Sequence, residues 1–244
     1  DLSVTFHHPQ PAVEPGLTAL DSGSGVMARN LTPRDGRAAE EALPAGTRLG
    51  HFEIEMRLGS GGMGQVYQAL DRSLQRRVAV KVLRSRVDSS LLESDQEVDR
   101  LLQEAVAQAR LPHPNVVPIY YVGKQDGAPF LAMELVDGQT LQRRMEQGAV
   151  PFPAIVSIGL QLAGALAFAH RLDMIHGDIK PSNILVQEDL LAKLSDFGIA
   201  RLTDTDRTAS GTLLASLAHA APETFSDQRD ERSDVYSLGS TLFH

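Results

Sequence analysis

Apolar and polar residues alternate along the chain from residue 51 onward, which is the pattern of β-strands with one buried face. Five such stretches precede residue 138, and they cover residues 52–56, 66–69, 77–82, 116–122 and 129–134. The turn-forming residues Asp137 and Gly138 follow the last of them. We therefore expect a five-stranded antiparallel sheet in this part of the chain.

A helical period replaces the alternation in the remainder of the chain. Residues 153–172 are expected to form a helix of about five turns, because their apolar residues recur at intervals of three and four. Short strands are expected at residues 184–186 and 192–194, and a polar helix at residues 89–111, between the third and fourth strands. The pattern predicts an α+β fold, in which a β-rich lobe precedes a mainly helical lobe.

The first 47 residues differ from the rest in composition. They are rich in proline, glycine, serine and alanine and show no sustained period, so we expect a linker or a disordered tail there. The folded domain is then expected at residues 48–244. Its β-rich lobe would cover residues 48–133, its hinge residues 134–138, and its helical lobe residues 139–244.

The amino-acid composition of the chain argues against several classes of function. Because the chain has no cysteine, it cannot form disulfides or thiolate metal sites. Its formal net charge of −8 argues against a nucleic-acid partner, which normally requires a basic face. No apolar run is expected to approach the roughly 20 residues that a membrane-spanning helix needs. We therefore predict no membrane segment within this chain.

A glycine-rich string at residues 59–64, GSGGMG, is the first candidate for chemistry. Glycine backbone can approach phosphates closely, and the spacing G-x-G-x-x-G occurs both in dinucleotide-binding folds and in phosphate-covering hairpins. In dinucleotide-binding folds a helix follows the third glycine. Here the alternating residues from Val66 continue as a strand, which favours a hairpin. An ordinary glycine-rich turn is the alternative.

Lys81 stands in the apolar third strand, where an ammonium group is costly unless it meets an anion. The α- and β-phosphates of ATP would supply such an anion. Glu104, on the polar helix after this strand, is the expected carboxylate partner of the lysine. For a single glutamate, a solvated helix charge is the alternative role.

Three further strings follow in order: HGDIKPSN at residues 176–183, DFG at residues 196–198 and APE at residues 221–223. Together with the glycine string and Lys81, they resemble the protein kinase family, and most of all its bacterial, eukaryotic-like serine/threonine kinases. The resemblance extends over about residues 49–241. It implies a two-lobed protein-kinase fold, with a five-stranded antiparallel N-terminal lobe and a mainly helical C-terminal lobe.

The resemblance also implies an activity. The chain would bind ATP with Mg²⁺, or with Mn²⁺ in its place, and transfer the γ-phosphoryl group to serine or threonine hydroxyls of a protein substrate. The kinase domain is expected to be cytoplasmic, and a membrane anchor elsewhere in a longer protein is compatible with this expectation.

Each matching residue receives a role from the resemblance. Asp178 would orient the acceptor hydroxyl, Lys180 would neutralise charge on the γ-phosphate, and the pair of Lys81 and Glu104 would position the nucleotide phosphates. The expected magnesium ligands are Asn183 and Asp196. The residues expected to contact the nucleotide are Leu58, Gly59, Ser60, Gly61, Gly62, Met63, Gly64, Val66, Ala79, Lys81, Met133, Glu134, Val136 and Leu185.

The sequence departs from the family pattern at three places. Gly177 stands where the family usually has an arginine that receives a phosphorylated activation loop. Ser216 is expected to replace a threonine in the segment before Ala221, and an alternative register uses residues 211–212. Residues 233–239 match the start of the central helix of the C-terminal lobe, so we expect a fragment with an incomplete lobe.

The complete set of catalytic residues favours an active kinase. Two alternative functions are also considered. A pseudokinase, or a truncated kinase-like scaffold that binds partners without turnover, is supported by Gly177 and by the incomplete lobe. A dinucleotide-dependent oxidoreductase is supported by the glycine string alone. ATP and NAD binding would distinguish this last function from the others.

Overall fold

The structure is a computed structural model, and it describes residues 42–61, 64–83, 103, 105, 106, 108–125, 128–197, 218–226 and 230–243. Most of the predicted linker and most of the predicted polar helix lie outside these residues. The described residues 103, 105, 106 and 108, near the end of that helix, are helical.

An antiparallel sheet forms the N-terminal lobe. Its strands are β1 (Arg48–Leu49), β2 (Phe52–Gly61), β3 (Gly64–Asp71), β4 (Arg76–Leu83), β5 (Ile119–Gln125) and β6 (Ala128–Glu134). They follow the order β1-β2-β3-β4-β6-β5 across the sheet. The five predicted strands are present. The two-residue β1 was not predicted, because two residues are too few to show an alternation.

Strand β5 begins three residues later than predicted. The apolar residue Val116 pairs with Leu194 of the other lobe, and the Val117 amide donates to the Leu194 carbonyl at 2.8 Å. Pro118 has no amide hydrogen to donate to a strand ladder. The residues before β5 therefore connect the two lobes and do not extend the sheet.

Alternation of side chains gives the sheet two buried faces. An outer cluster contains Leu49, Phe52, Ile54, Tyr67, Ala69, Val78, Val80, Phe130 and Ala132. An inner cluster contains Ala79, Ala105, Val117, Ile119, Leu131 and Met133. Lys81 lies two residues after Ala79 on β4, so its side chain belongs to the same inner face. The period-2 pattern thus directs the one lysine of this strand toward the inner side of the sheet.

The C-terminal lobe combines helices with a small sheet. Its helices in the described part are α1 (Leu141–Glu146), α2 (Phe152–His170) and α3 (Glu231–Phe243), and its strands are β7 (Gly138–Thr140), β8 (Ile184–Gln187) and β9 (Ala192–Leu194). The three strands pair antiparallel in the order β7-β8-β9. The predicted long helix and both predicted short strands are present within two residues of their expected bounds. Strand β7 was not predicted, because Gly138 was assigned to the hinge.

Local sequence explains how this lobe positions its loops. The Thr140 hydroxyl accepts a hydrogen bond from the Arg143 amide at 3.1 Å and so caps the start of α1. Helix α2 begins after Pro151 and buries an apolar stripe that includes Ile158 and Leu162. This stripe packs in the same core as β8, β9 and Phe197. The chain between α2 and β8, which carries the string at residues 176–183, is therefore held against the core at both ends.

Helix α2 leaves the expectation of no membrane segment unconfirmed, because it is the one helix among the described residues that is long and apolar enough to cross a membrane. Its 19 residues contain no aspartate, glutamate, lysine or arginine, so the helix meets the requirement by length and composition alone. By itself this is weak evidence for a span, because the core helix of a globular domain passes the same test.

Candidate active site

The glycine string lies in the β2–β3 hairpin. Gly59 pairs with Val66, and Gly61 pairs with Gly64. The two residues between the last pair, Gly62 and Met63, lie outside the described residues. Strand β3 begins at Gly64 itself, whereas in dinucleotide-binding folds a helix follows the third glycine. The hairpin geometry therefore favours a phosphate-covering loop over a dinucleotide-binding turn.

Gly64 has the strictest backbone requirement of the string. Its φ is +147°, and a Cβ at this position would lie 2.1 Å from the Val82 carbonyl oxygen. A Cβ at Gly59 would meet no atom of the described residues within 4 Å. Gly64→Ala is therefore expected to lower Tm by about 5 °C or more, and Gly59→Ala by much less. Thermal unfolding of the two variants and the wild type checks this, and equal Tm values for both variants would contradict it.

The inner cluster gathers apolar residues that were predicted to contact the nucleotide. Val66, Val136 and Leu185 pack against this cluster, whose buried members include Ala79 and Met133. These residues come from strands of both lobes and from the segment that joins them. A ligand site of this kind is mostly apolar, with a few polar groups that fix orientation. The arrangement suits a flat ring that enters between the lobes.

Lys81 meets an anion on the other lobe. Its Nζ lies 2.7 Å from Oδ1 of Asp196, and the lysine is only 6% exposed. Asp196 follows β9 and adopts a left-handed φ of 65°, which aspartate tolerates better than most residues. The predicted partner, Glu104, lies outside the described residues, so the Lys81–Glu104 pair stays a prediction.

Two opposing effects act on the Asp196 carboxyl. Burial raises its pKa, but the charge and the hydrogen bond of Lys81 lower it, and His176 and Lys180 add smaller effects of the same sign. The combined effect of the cations on the pKa is larger than that of burial, so the pKa of Asp196 lies below its ordinary value. The carboxyl is therefore ionised at neutral pH, which is the state that a metal ligand requires.

A second carboxylate lies in the chain between α2 and β8. Oδ2 of Asp178 is 2.7 Å from Nζ of Lys180 and accepts a hydrogen bond from Nδ2 of Asn183 at 3.0 Å. The same Asn183 amide group also donates to the Asp178 carbonyl at 2.8 Å. These contacts orient the carboxylate of Asp178 and leave the oxygen of the Asn183 side chain as its remaining polar atom. Three residues predicted to act together are thus brought together.

His176 and Phe197 pack against each other beside these groups. Their rings lie 4.4 Å apart between centroids, and both residues are fully buried. Nε2 of His176 lies 3.0 Å from the Ser195 carbonyl, and Nδ1 accepts a hydrogen bond from the Asp178 amide. The imidazole therefore links the backbone before Asp196 to the backbone of Asp178.

Asp234 supports the same loop, and sequence reasoning gave it no role. Its carboxylate is 1% exposed and accepts hydrogen bonds from the amides of His176 and Gly177, each at 2.8 Å. Nε2 of His170 lies 2.8 Å from the same carboxylate. Gly177 has a φ of 75°, so glycine suits the backbone conformation at this point. A buried carboxylate needs such donors, but the sequence did not show that this residue of the predicted central helix is buried.

Among the remaining predicted residues, Glu134 ends β6, and Gly62, Met63 and Glu104 lie outside the described residues. Leu58 and Ser60 are exposed on β2. The chain offers Asn183 and Asp196 as oxygen ligands, which suits a hard cation such as Mg²⁺ that takes its other ligands from phosphates and water. No group of three or more histidine, cysteine or acidic side chains able to hold a metal ion occurs among the described residues.

Comparison with known proteins agrees with this geometry. The family model for the protein kinase domain matches residues 52–244. Serine/threonine-protein kinase PknJ of Mycobacterium tuberculosis is 41% identical over 207 residues, which is 82% of this chain and 34% of PknJ. Serine/threonine-protein kinase PknL of the same organism is 39% identical over 195 residues, which is 79% of this chain and 48% of PknL. The chain thus spans less than half the length of these relatives.

The solved structures agree as well. The crystal structure of the Mycobacterium tuberculosis PknI kinase domain superposes with a TM-score of 0.67 at 28% identity and covers 84% of this chain and 77% of that one. Members of this family use ATP with a divalent metal ion and act on proteins. The chain belongs to the protein kinase family, in its bacterial, eukaryotic-like serine/threonine branch.

Proposed function

We propose that the chain is the catalytic domain of a serine/threonine protein kinase, which transfers the γ-phosphoryl group of ATP to hydroxyls of a protein. One observation carries the proposal: Lys81 and Asp196 meet at 2.7 Å across the two lobes, beside the linked trio of Asp178, Lys180 and Asn183. Phosphoryl transfer depends on positioned charges more than on covalent chemistry. The site supplies two lysines and two carboxylates for that purpose.

The nucleotide would lie between the lobes. Backbone groups of residues 134–136 would bind adenine, and the inner cluster would enclose it. The glycine hairpin would cover the phosphates, and Lys81 would contact the α- and β-phosphates. At Gly59 and Gly61 a Cβ would meet no atom of the described residues within 4 Å, which supports a close approach of phosphate to this backbone.

Asp196 and Asn183 would hold magnesium, which when bound neutralises charge on the phosphates. Asp178 would accept a hydrogen bond from the serine or threonine hydroxyl and orient its oxygen toward the γ-phosphorus. Lys180, 2.7 Å from Asp178, would stabilise negative charge on the transferred group. The functional unit would extend over residues 48–244 and act in the cytoplasm, with residues 1–47 as a linker.

Incubation of the purified protein with γ-labelled ATP, magnesium and a general protein acceptor tests the proposed function. Label should enter protein, and chelation of magnesium should prevent it. Release of label only as inorganic phosphate would indicate an ATPase, and binding of ATP without turnover would indicate a pseudokinase. Either result would overturn the proposal.

Gly177 leads to a further prediction about regulation. A phosphorylated activation loop becomes ordered only where a cation receives the phosphate, and the arginine that usually does so is replaced by this glycine. Phosphorylation in the loop should therefore change the initial rate by less than about threefold. The candidate positions, all outside the described residues, are Thr203, Thr205, Thr208 and Ser210.

A phosphatase-treated sample and its phosphorylated form are compared in an assay too short for re-phosphorylation. An activation of about tenfold or more, which corresponds to about 1.4 kcal/mol of the barrier, would contradict the prediction. Arg100 or Arg110 would then be the next candidate for a phosphate receptor.

A further inference from the structure

Glu134 and Lys193 form an ion pair that none of the roles above uses. Nζ of Lys193 lies 2.6 Å from Oε2 of Glu134, and the two side chains are 12% and 25% exposed. Glu134 ends β6 in the N-terminal lobe, and Lys193 is the middle residue of β9 in the C-terminal lobe. The pair therefore joins the lobes at the segment proposed to bind adenine.

The Lys81–Asp196 ion pair also joins the two lobes, at residues close in sequence to Glu134 and Lys193. Lys81 lies opposite Leu131 in the sheet, three residues before Glu134, and Asp196 follows Lys193 by three residues. The cation belongs to the N-terminal lobe in one pair and to the C-terminal lobe in the other. Two ion pairs of opposite polarity thus connect the same two regions of the chain.

Hydrogen bonds of residues 115–118 fix the backbone on both sides of the Glu134–Lys193 pair. The Glu134 amide donates to the Pro118 carbonyl at 3.1 Å. The Leu194 amide, next to Lys193, donates to the Asn115 carbonyl at 2.9 Å. Because one short segment bonds to the strands of both partners, a shift of one strand relative to the other would strain these backbone hydrogen bonds.

We propose that Glu134 and Lys193 form a clamp that positions the hinge for nucleotide binding, an inference that rests on the proposed function. In a nucleotide complex Lys81 would contact phosphate oxygens and Asp196 would hold the metal, so both side chains would have other partners than each other. The Glu134–Lys193 pair would not change partners when the nucleotide binds, so it keeps the hinge and β9 in one relative position. Lys193 is thus a positioning residue, which acts through Glu134 and does not touch the substrate.

Equilibrium binding of trinitrophenyl-ATP, followed by fluorescence, tests the clamp without any need for turnover. Lys193→Gln and Glu134→Gln should each raise Kd by about five- to tenfold, because each removes one charge of the pair. The double variant should bind no more weakly than either single variant. Lys193→Arg, which keeps the charge, should restore most of the affinity. The kcat at saturating ATP should change by less than about twofold in Lys193→Gln.

Arg77→Gln is the matched control, because Arg77 forms an exposed ion pair with Glu55 inside one lobe, and its Kd should equal that of the wild type. An unchanged Kd in Lys193→Gln would overturn the clamp, and so would a double variant whose effect is the product of the single effects. A lowered Tm with unchanged Kd would also overturn it, since the pair would then only stabilise the fold. If the variants show the predicted changes in Kd but the wild type transfers no phosphoryl group, the proposed function is wrong and the clamp is still supported.

Discussion

Replacement of Lys81 by methionine is expected to lower kcat/KM for ATP by about a hundred- to a thousandfold while the fold stays intact. The lysine is buried on the inner face of β4, and its ammonium group has a carboxylate partner 2.7 Å away on the other lobe. Methionine fills a similar volume but offers no charge to phosphate oxygens. The loss should therefore fall on positioning of the nucleotide and not on packing of the sheet.

Initial rates at several ATP concentrations measure the effect, and circular dichroism with thermal unfolding checks the fold. Arg77→Met is a matched control, because it removes a cation from the same strand at a side chain that is 65% exposed. It should keep the rate of the wild type. Wild-type kcat/KM in the Lys81→Met variant would show that the assigned role of this lysine is wrong.

Replacement of Asp178 by asparagine is expected to lower kcat by about a hundred- to ten-thousandfold with KM for ATP nearly unchanged. Asp178 is proposed to act on the acceptor hydroxyl, so its loss affects the chemical step and not the binding of nucleotide. Asp196→Asn should behave differently. Because it removes one anionic oxygen ligand, the magnesium concentration for half-maximal rate should rise by about tenfold or more.

Titrations of rate against magnesium and against ATP, carried out on both variants, separate the two roles. The contacts of each carboxylate give the reason for the difference: Asp178 is bound by Lys180 and Asn183, whereas Asp196 is bound by Lys81. Large and equal losses of Mg·ATP affinity in the two variants would refute this division of labour.

The sheet of the N-terminal lobe could be predicted because the alternation of apolar and polar residues can be read within each strand alone. Alternation identified five strands, and the third of them contained Lys81. The glycine string could be assigned to a hairpin because the residues after Gly64 alternate. Where a signal depended on contact with the other lobe, prediction was less accurate: β5 was placed too early because Val116 and Val117 pair with Leu194.

Partners of charged side chains could not be predicted in the same way. Lys81 and Asp196 are 115 residues apart in sequence, and Lys193 and Glu134 are 59 apart. Periodicity gives the face on which a side chain lies but not the residue from another element that meets it. Motif order named Lys81, Asp178, Asn183 and Asp196 as functional, yet it gave no sign of the Glu134–Lys193 pair, and it left the buried carboxylate of Asp234 without a role.

Phosphoamino-acid analysis after incubation with γ-labelled ATP and a protein acceptor tests the central claim most directly. The wild type and the Asp178→Asn variant are compared at equal concentration and at saturating Mg·ATP. The proposed function predicts label on phosphoserine and phosphothreonine with the wild type, and a rate lower by about a hundredfold or more with the variant. Absence of labelled phosphoserine and phosphothreonine with the wild type, or equal labelling by both proteins, would contradict it.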